Sequence, residues 1–113
     1  MPNRNIHRTV RFPHNALGTV IHQNVKVGKN STIYQNVTVG GRKDKTRIYN
    51  DEIIDAPIIG SNVLVGTNSI ILGPIIVGDN AIIGAGAVVV DDVPPNSTVY
   101  GEKSKIKNNS LTL

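Results

Sequence analysis

Cysteine and tryptophan are absent from this 113-residue chain. Without cysteine there is no disulfide framework, no thiolate metal site and no thiol nucleophile. Aromatic residues are scarce, at one Phe and three Tyr. No platform for stacked bases is in view, so nucleic acid is not an expected partner. Long apolar runs are missing as well. The run Ile70–Val77 is too short to cross a bilayer and contains Gly73 and Pro74, so no membrane partner is expected. Residues 1–8 (MPNRNIHR) lack the apolar stretch of a signal peptide. A cytoplasmic protein is the default expectation. Positive charge is missing from one long span: all twelve Lys and Arg lie outside residues 48–102. They gather at Arg4, Arg8 and Arg11, at Lys26 and Lys29, at Arg42, Lys43, Lys45 and Arg47, and at Lys103, Lys105 and Lys107. Solvated ends account for most of them, and a site for an anionic ligand is the functional reading of the rest.

What is present is a six-residue beat. An aliphatic residue returns at Ile21, Val27, Ile33 and Val39, then at Ile59, Val65, Ile71, Val77, Ile83 and Val89. The next position is Gly at 28, 40, 60, 66, 78 and 84. The fifth position is small or apolar throughout, from Val25 and Ser31 to Ala87 and Val93. The fourth is Asn at 24, 30, 36, 62, 68 and 80, then Gly86 and Asp92, residue types that tolerate the left-handed backbone of a tight corner. Pro74 breaks that rule because its ring holds φ negative, so its corner must be built differently. A hexapeptide period marks a β-helix. It does not fit the 3.6-residue helical period, and the β-branched residues suit flat strands. A β-sandwich would show strands of varied length and spacing. The phase from Ile59 to Val93 is read as unbroken.

Three strands would close an 18-residue triangular coil. The chain is read as one domain over 1–113, with coils at about 21–39 and 59–94, a polar loop at about 41–56 and a tail at 95–113. The tail is expected to fold back over the last coil, with residues 107–113 frayed. Each buried Val or Ile gives about 1.5–3 kcal/mol, whereas ordering the backbone costs about 1–2 kcal/mol per residue. Three thin coils are therefore marginal alone. A homotrimer of prisms packed side by side is expected, since three-fold packing is a closed form. The loop could then reach a neighbouring subunit and wall a cleft.

The segment from Arg11 to His22, with His14 four residues before Gly18, is followed in order by Val37–Gly41, Ile83–Ala87 and Val93–Pro95. Together with the hexads, these resemble the hexapeptide-repeat acyltransferases over roughly residues 11–106. The likeness is greatest to the catalytic domain of serine and sugar O-acetyltransferases. The resemblance implies an all-β, left-handed parallel β-helix, assembled as a trimer, that binds acetyl-CoA between neighbouring prisms and needs no metal. It implies His14 as general base, acting on the hydroxyl of a small acceptor; an unperturbed imidazole, with a pKa of about 6.5, suits that role. Backbone N–H groups at Gly40 or Gly41 are implied for the oxyanion. Gly66, Thr67, Gly84 and Ala85 match positions along the pantetheine groove, and Lys103 and Lys105 are candidates for the CoA phosphates.

The chain departs from the serine-specific pattern in two places. Pro13 stands where an Asp precedes the catalytic His, and Ala56 stands where a second His precedes the loop-closing proline, here Pro57. A sugar or another hydroxyl compound is therefore as much an expected acceptor as serine. Asp55 or Glu52 of a neighbour is a candidate to orient His14. Two other readings stand beside the enzyme. One is a trimeric β-helix scaffold without activity. The other is a zinc carbonic anhydrase-like protein using His7, His14 and His22. His22 is read as structural or surface, and His7 has no assigned role.

Overall fold

A computed structural model describes residues 5–109. Readings that fall on 1–4 and 110–113, including Arg4 and the end of the frayed tail, lie outside the described residues. The strands are two or three residues long and pair in parallel into three sheets, the faces of a triangular prism. Face 1 holds β2 (Lys26–Val27), β7 (Ile58–Ile59) and β10 (Ile76–Val77). Face 2 holds β3 (Thr32–Ile33), β8 (Leu64–Val65), β11 (Ile82–Ile83) and β13 (Thr98–Val99). Face 3 holds β1 (Val20–Ile21), β4 (Thr38–Gly40), β9 (Ile70–Leu72) and β12 (Val88–Val89). The chain visits the faces in the order 1, 2, 3 and then repeats. The body is elongated, 62 × 31 × 26 Å.

The hexad explains the core. From Val27 to Val89 the first-position aliphatics point inward and are buried, and so are the fifth-position residues. Each stacks on its equivalent one coil away: Ile59 pairs with Val77, Val65 with Ile83 and Ile71 with Val89. Ser31 and Ser69 are the buried polar exceptions. The Ser31 hydroxyl donates to the Gly60 carbonyl (2.8 Å) and accepts from Val63 N–H (3.0 Å). Ser69 donates to the Gly66 carbonyl (2.7 Å). Both hydroxyls are thereby spared the cost of an unpaired buried group.

Register locates three departures from the regular turn. Within the regular coils, partners lie 18 positions apart, as Ile58 with Ile76. Lys26 pairs with Ile58, 32 positions on, so 14 residues are inserted between β4 and β7. They form an antiparallel hairpin of β5 (Arg47–Tyr49) and β6 (Glu52–Ile54), which the sequence reading took as plain loop. Ile6 bridges Val27 and Arg11 bridges Thr32, each 21 positions on. The prism thus begins before Ile21, with a coil three residues longer than the rest. At the other end Val93 bridges Val77 and Thr98 pairs with Ile82, each only 16 positions away.

The unbroken phase expected through Val93 therefore stops at Val89, and the tail adds a strand rather than folding over the last coil. The reason is local. Asp92 Oδ1 accepts the Ile76 N–H at 2.9 Å, and Pro94 and Pro95 have no N–H for the ladder. Asn30, Asn36, Asn62, Asn68, Asn80 and Gly86 adopt the left-handed corner conformation. Asn24 and Asp92 do not. At Pro74 the positive φ moves back one residue, to Gly73 at 102°.

Candidate active site

The extra three residues of the first coil lift His14 off the prism. Pro13–Ala16 form a 3₁₀ turn in which His14, Asn15 and Ala16 all have φ near +58°. Such a conformation costs a non-glycine residue about 1–2 kcal/mol, and strain of this kind gathers at functional sites. The turn is closed by Leu17 N–H on the His14 carbonyl (3.2 Å) and Thr19 N–H on the Ala16 carbonyl (2.9 Å). The His14 side chain is exposed, and its ring has no hydrogen-bond partner among the described residues.

His14 stands at the head of the edge between faces 2 and 3. Corners of successive coils lie along that edge, joined by hydrogen bonds. Thr19 Oγ1 donates to the Tyr34 carbonyl (3.0 Å), Thr67 Oγ1 to the Gln35 carbonyl (3.1 Å) and Gly86 N–H to the Thr67 carbonyl (2.9 Å). Gly66, Thr67, Gly84 and Ala85 all belong to this column. Gly66 is obligatory there: a Cβ would lie 2.7 Å from the Ala85 nitrogen. Lys103 and Lys105 leave from the same edge after Gly101, exposed, with Lys105 paired to Glu102 at 3.1 Å. Gln35 Oε1 is buried on this edge without a partner among the described residues, a feature with no signal in the hexad pattern.

Gly40 and Gly41 do not join His14 within the chain. They lie on the edge between faces 3 and 1, where the 14-residue insertion leaves and returns. The Gly40 carbonyl accepts Gly73 N–H (2.9 Å), and a Cβ on Gly41 would meet the Asp55 carbonyl at 2.7 Å. Asp55 and Glu52 are on this side too, held by Asn24 Nδ2 (3.1 and 3.3 Å) and Lys26 Nζ (3.2 Å). Ala56 is 1% exposed and packs into the core.

His22 is also at this edge. Its Nδ1 accepts the Asn24 N–H at 3.0 Å. It lines a hollow of about 390 Å³ with Gly41, Arg42, Lys43, Lys45 and Asp55. The sequence marked His22 as a departure from the Gly usual at its hexad position and read it as structural or surface; its proximity to the basic run is visible only in the structure. His7 accepts the Thr9 N–H through Nδ1 (3.2 Å) at the edge between faces 1 and 2. The three histidines thus occupy three different edges and do not converge within one chain. Among the described residues no group of three or more His, Asp or Glu is placed to hold a metal ion.

A larger hollow, about 530 Å³, is elsewhere: on face 1, between Tyr49 of the hairpin, Ile58, Ile76 and Pro94–Pro95. Its carboxylates are engaged, Asp79 Oδ1 by Ser61 N–H (2.8 Å) and Asp92 by Arg47 (2.7 Å). Arg47 also reaches the Pro74 carbonyl (3.3 Å) and lies over the Tyr49 ring at 5.6 Å. Size alone does not select this hollow over the His14 edge.

Residues 56–91 match the family model described as bacterial transferase hexapeptide (six repeats). The fold and this match define a left-handed parallel β-helix of hexapeptide repeats, similar to that of the hexapeptide-repeat acyltransferases. Its relatives narrow the likeness. It is 46% identical over 94 residues to the protein named "Putative colanic acid biosynthesis acetyltransferase WcaB" of Escherichia coli strain K12, covering 83% of this chain and 54% of that protein. The Neisseria gonorrhoeae serine acetyltransferase, solved in complex with serine, superimposes with a TM-score of 0.74 at 39% identity, over 90% of this chain and 39% of that one. A serine acetyltransferase in complex with CoA gives a TM-score of 0.66 at 32% identity, over 81% of this chain and 34% of that one. The chain spans about half the length of WcaB. Among the described residues no helix is long and apolar enough to cross a membrane.

Proposed function

We propose that the protein is an acetyl-CoA-dependent O-acetyltransferase that moves the acetyl group directly to a hydroxyl of a small molecule, with His14 as general base. The observation that carries this reading is the exposed, unpartnered His14 on a strained excursion heading a column of small residues. The relatives support it: WcaB and the serine acetyltransferases are named acetyltransferases, and solved structures of the latter hold serine in one case and CoA in another. In this reading the pantetheine arm lies along Gly66, Thr67, Gly84 and Ala85, with Lys103 and Lys105 towards the phosphates. Neutral His14 takes the proton of the acceptor hydroxyl as its oxygen attacks the thioester carbonyl carbon. N–H groups at Gly40 or Gly41 of a neighbouring copy steady the oxyanion. The C–S bond then breaks, and the imidazolium returns the proton to sulfur. The acceptor is a sugar or a serine-like hydroxyl compound. The acetyl-CoA requirement agrees with a cytoplasmic location.

A homotrimer completes this site. Face 3 carries an outward apolar strip of Val20, Ile70, Val88 and Val90, 36–63% exposed. Three copies packed on face 3 around a common axis would bring the His14 edge of one against the loop edge of the next. The test is thiol release from acetyl-CoA with L-serine and a panel of sugars, for wild type and His14→Ala. Acceptor-dependent release should fall about 10²–10⁴-fold in the variant, with acetyl-CoA binding retained. Unchanged turnover would remove His14 as the base. Failure of both release and acetyl-CoA binding would leave the non-enzymatic scaffold.

A further inference from the structure

We infer that the hollow at the foot of the hairpin is an anion subsite, and that the acceptor carries a phosphate or carboxylate group. The second half of this inference rests on the acetyltransferase reading; the first does not. The hollow is lined by donors. Because His22 Nδ1 accepts the Asn24 N–H, the neutral ring carries its proton on Nε2 and offers a donor, not a base. Arg42, Lys43 and Lys45 line the same hollow. None of them lies within 4.0 Å of a carboxylate among the described residues, where the ion pairs are Lys26–Glu52, Arg47–Asp92 and Lys105–Glu102.

Two carboxylates also border the hollow. Both oxygens of Asp55 are occupied by Asn24 Nδ2. Asp44 sits at φ 59° in the tight turn that Lys45 N–H closes on the Arg42 carbonyl (3.0 Å). Three cations and a ring N–H thus face the two carboxylates Asp44 and Asp55, so the lining is net positive, and all three cations belong to the inserted segment. Clustered cations of this kind raise the local concentration of anionic ligands, and guanidinium and ammonium donors make charge-assisted bonds to phosphate and carboxylate oxygens.

Position assigns the anion to the acceptor rather than to CoA. His14 and His22 stand at the two ends of β1, at the same height on the prism and on opposite edges of face 3. The column proposed for CoA starts at that height and runs away from it, through Gly66 and Gly84 towards Lys103. An anion beside His22 therefore arrives on the other substrate.

The subsite is tested by following backbone amide resonances during titration with inorganic phosphate and with glucose 1-phosphate, glucose being the neutral control, at constant ionic strength. Shifts should concentrate at His22 and residues 41–46. The Lys43→Ala/Lys45→Ala double variant should bind both anions at least tenfold more weakly, and glucose should shift neither protein. Equal binding by the two proteins, or shifts confined to the Lys103–Lys107 tail, would overturn the subsite. Acetyl-CoA affinity, measured by calorimetry on the same pair, should be unchanged; a tenfold loss would give these cations to CoA and overturn the assignment to the acceptor. In turnover assays the variant should raise KM at least tenfold for glucose 1-phosphate or glucuronate, with kcat within about twofold of wild type. Turnover of neutral sugars alone, with KM unaltered in the variant, would reject an anionic acceptor. If no acceptor is turned over by either protein, the acetyltransferase reading and the anionic acceptor that rests on it fail together, while the phosphate titration still decides the subsite.

Discussion

At the scale of single residues, the corners are made by two different devices. Asn30, Asn36, Asn62, Asn68 and Asn80 hold φ between 56° and 62°. Asn enters this region more readily than other non-glycine residues because its short amide can bond locally. Gly66 has an ordinary φ and is needed because the next coil's backbone passes 2.7 Å from where a Cβ would be. The two devices predict opposite responses to the same pair of changes. At the exposed corner, Asn62→Ala should lose about 1 kcal/mol, whereas Asn62→Gly should change stability by a few tenths of that. Gly66→Ala should be worse than Asn62→Ala, because the clash is with backbone and no side chain can yield. Urea unfolding of the three variants would check the order. If Gly66→Ala left the midpoint unmoved, the coils could separate more easily than this packing requires.

At the scale of elements, the hairpin β5–β6 is tied to the prism by Arg47. Its guanidinium reaches Asp92 at 2.7 Å and the Pro74 carbonyl at 3.3 Å. The hydrogen bond from Arg47 is the main cause holding the Asp92 carboxyl below its ordinary value, with the Ile76 N–H adding to it and burial opposing. A carboxyl depressed in the folded state stabilises above its unfolded pKa of about 3.9 and loses that effect as pH falls through the lower folded value. The latch should therefore be closed at neutral pH, weaken as pH falls below about 4 and open only once pH passes the lower folded value. Both side chains are partly exposed (35% and 48%), so salt should weaken it as well. Hydrogen exchange at Ile48 and Ile53 should be several-fold faster in Asp92→Asn than in wild type at pH 7, and the two should converge in acid. A difference that did not shrink at all as pH fell further and further below about 4 would mean that Asp92 holds the hairpin by shape rather than by charge.

At the scale of the whole molecule, two faces of the prism are uncovered, and face 3 is the more apolar of the two. On face 1, Ile58 and Ile76 are half-buried near the hairpin while Lys26 is exposed, and on face 2, Thr32 and Thr98 flank Leu64 and Ile82, which are 38% and 45% exposed. Face 3 presents Val20, Ile70, Val88 and Val90 to solvent, with Thr38 between Val20 and Ile70, an apolar surface of a kind that commonly marks an interaction surface. The proposed trimer would cover it. Light scattering of wild type should report roughly 36 kDa, three times the chain mass of 12.1 kDa. Val88→Asp, placing a charge on this strip, should shift the population towards the single-chain mass and lower any activity with it. A wild-type protein that stays monomeric at assay concentration would overturn this use of face 3.

The hexad by itself determined the fold class and the identity of the core, because a two-residue strand followed by a corner places every sixth side chain inward wherever the coil is regular. Even Pro74 could be marked as a corner needing another solution, since a ring that fixes φ acts locally. Features that depend on pairing between distant residues were not legible. That Ile6 and Arg11 start an extra coil follows only from their bridges to Val27 and Thr32, as nothing in their own spacing repeats. The early end of the phase depends on Asp92 bonding to Ile76 and to Arg47, 45 residues back in sequence. For the candidate site, His14 and the small residues after the hexad aliphatics could be picked out one by one. Tertiary structure alone set them on a single edge, put Gly40, Gly41 and His22 on another, and gathered the basic run around the His22 ring, because an edge of a β-helix is built from residues a full coil apart.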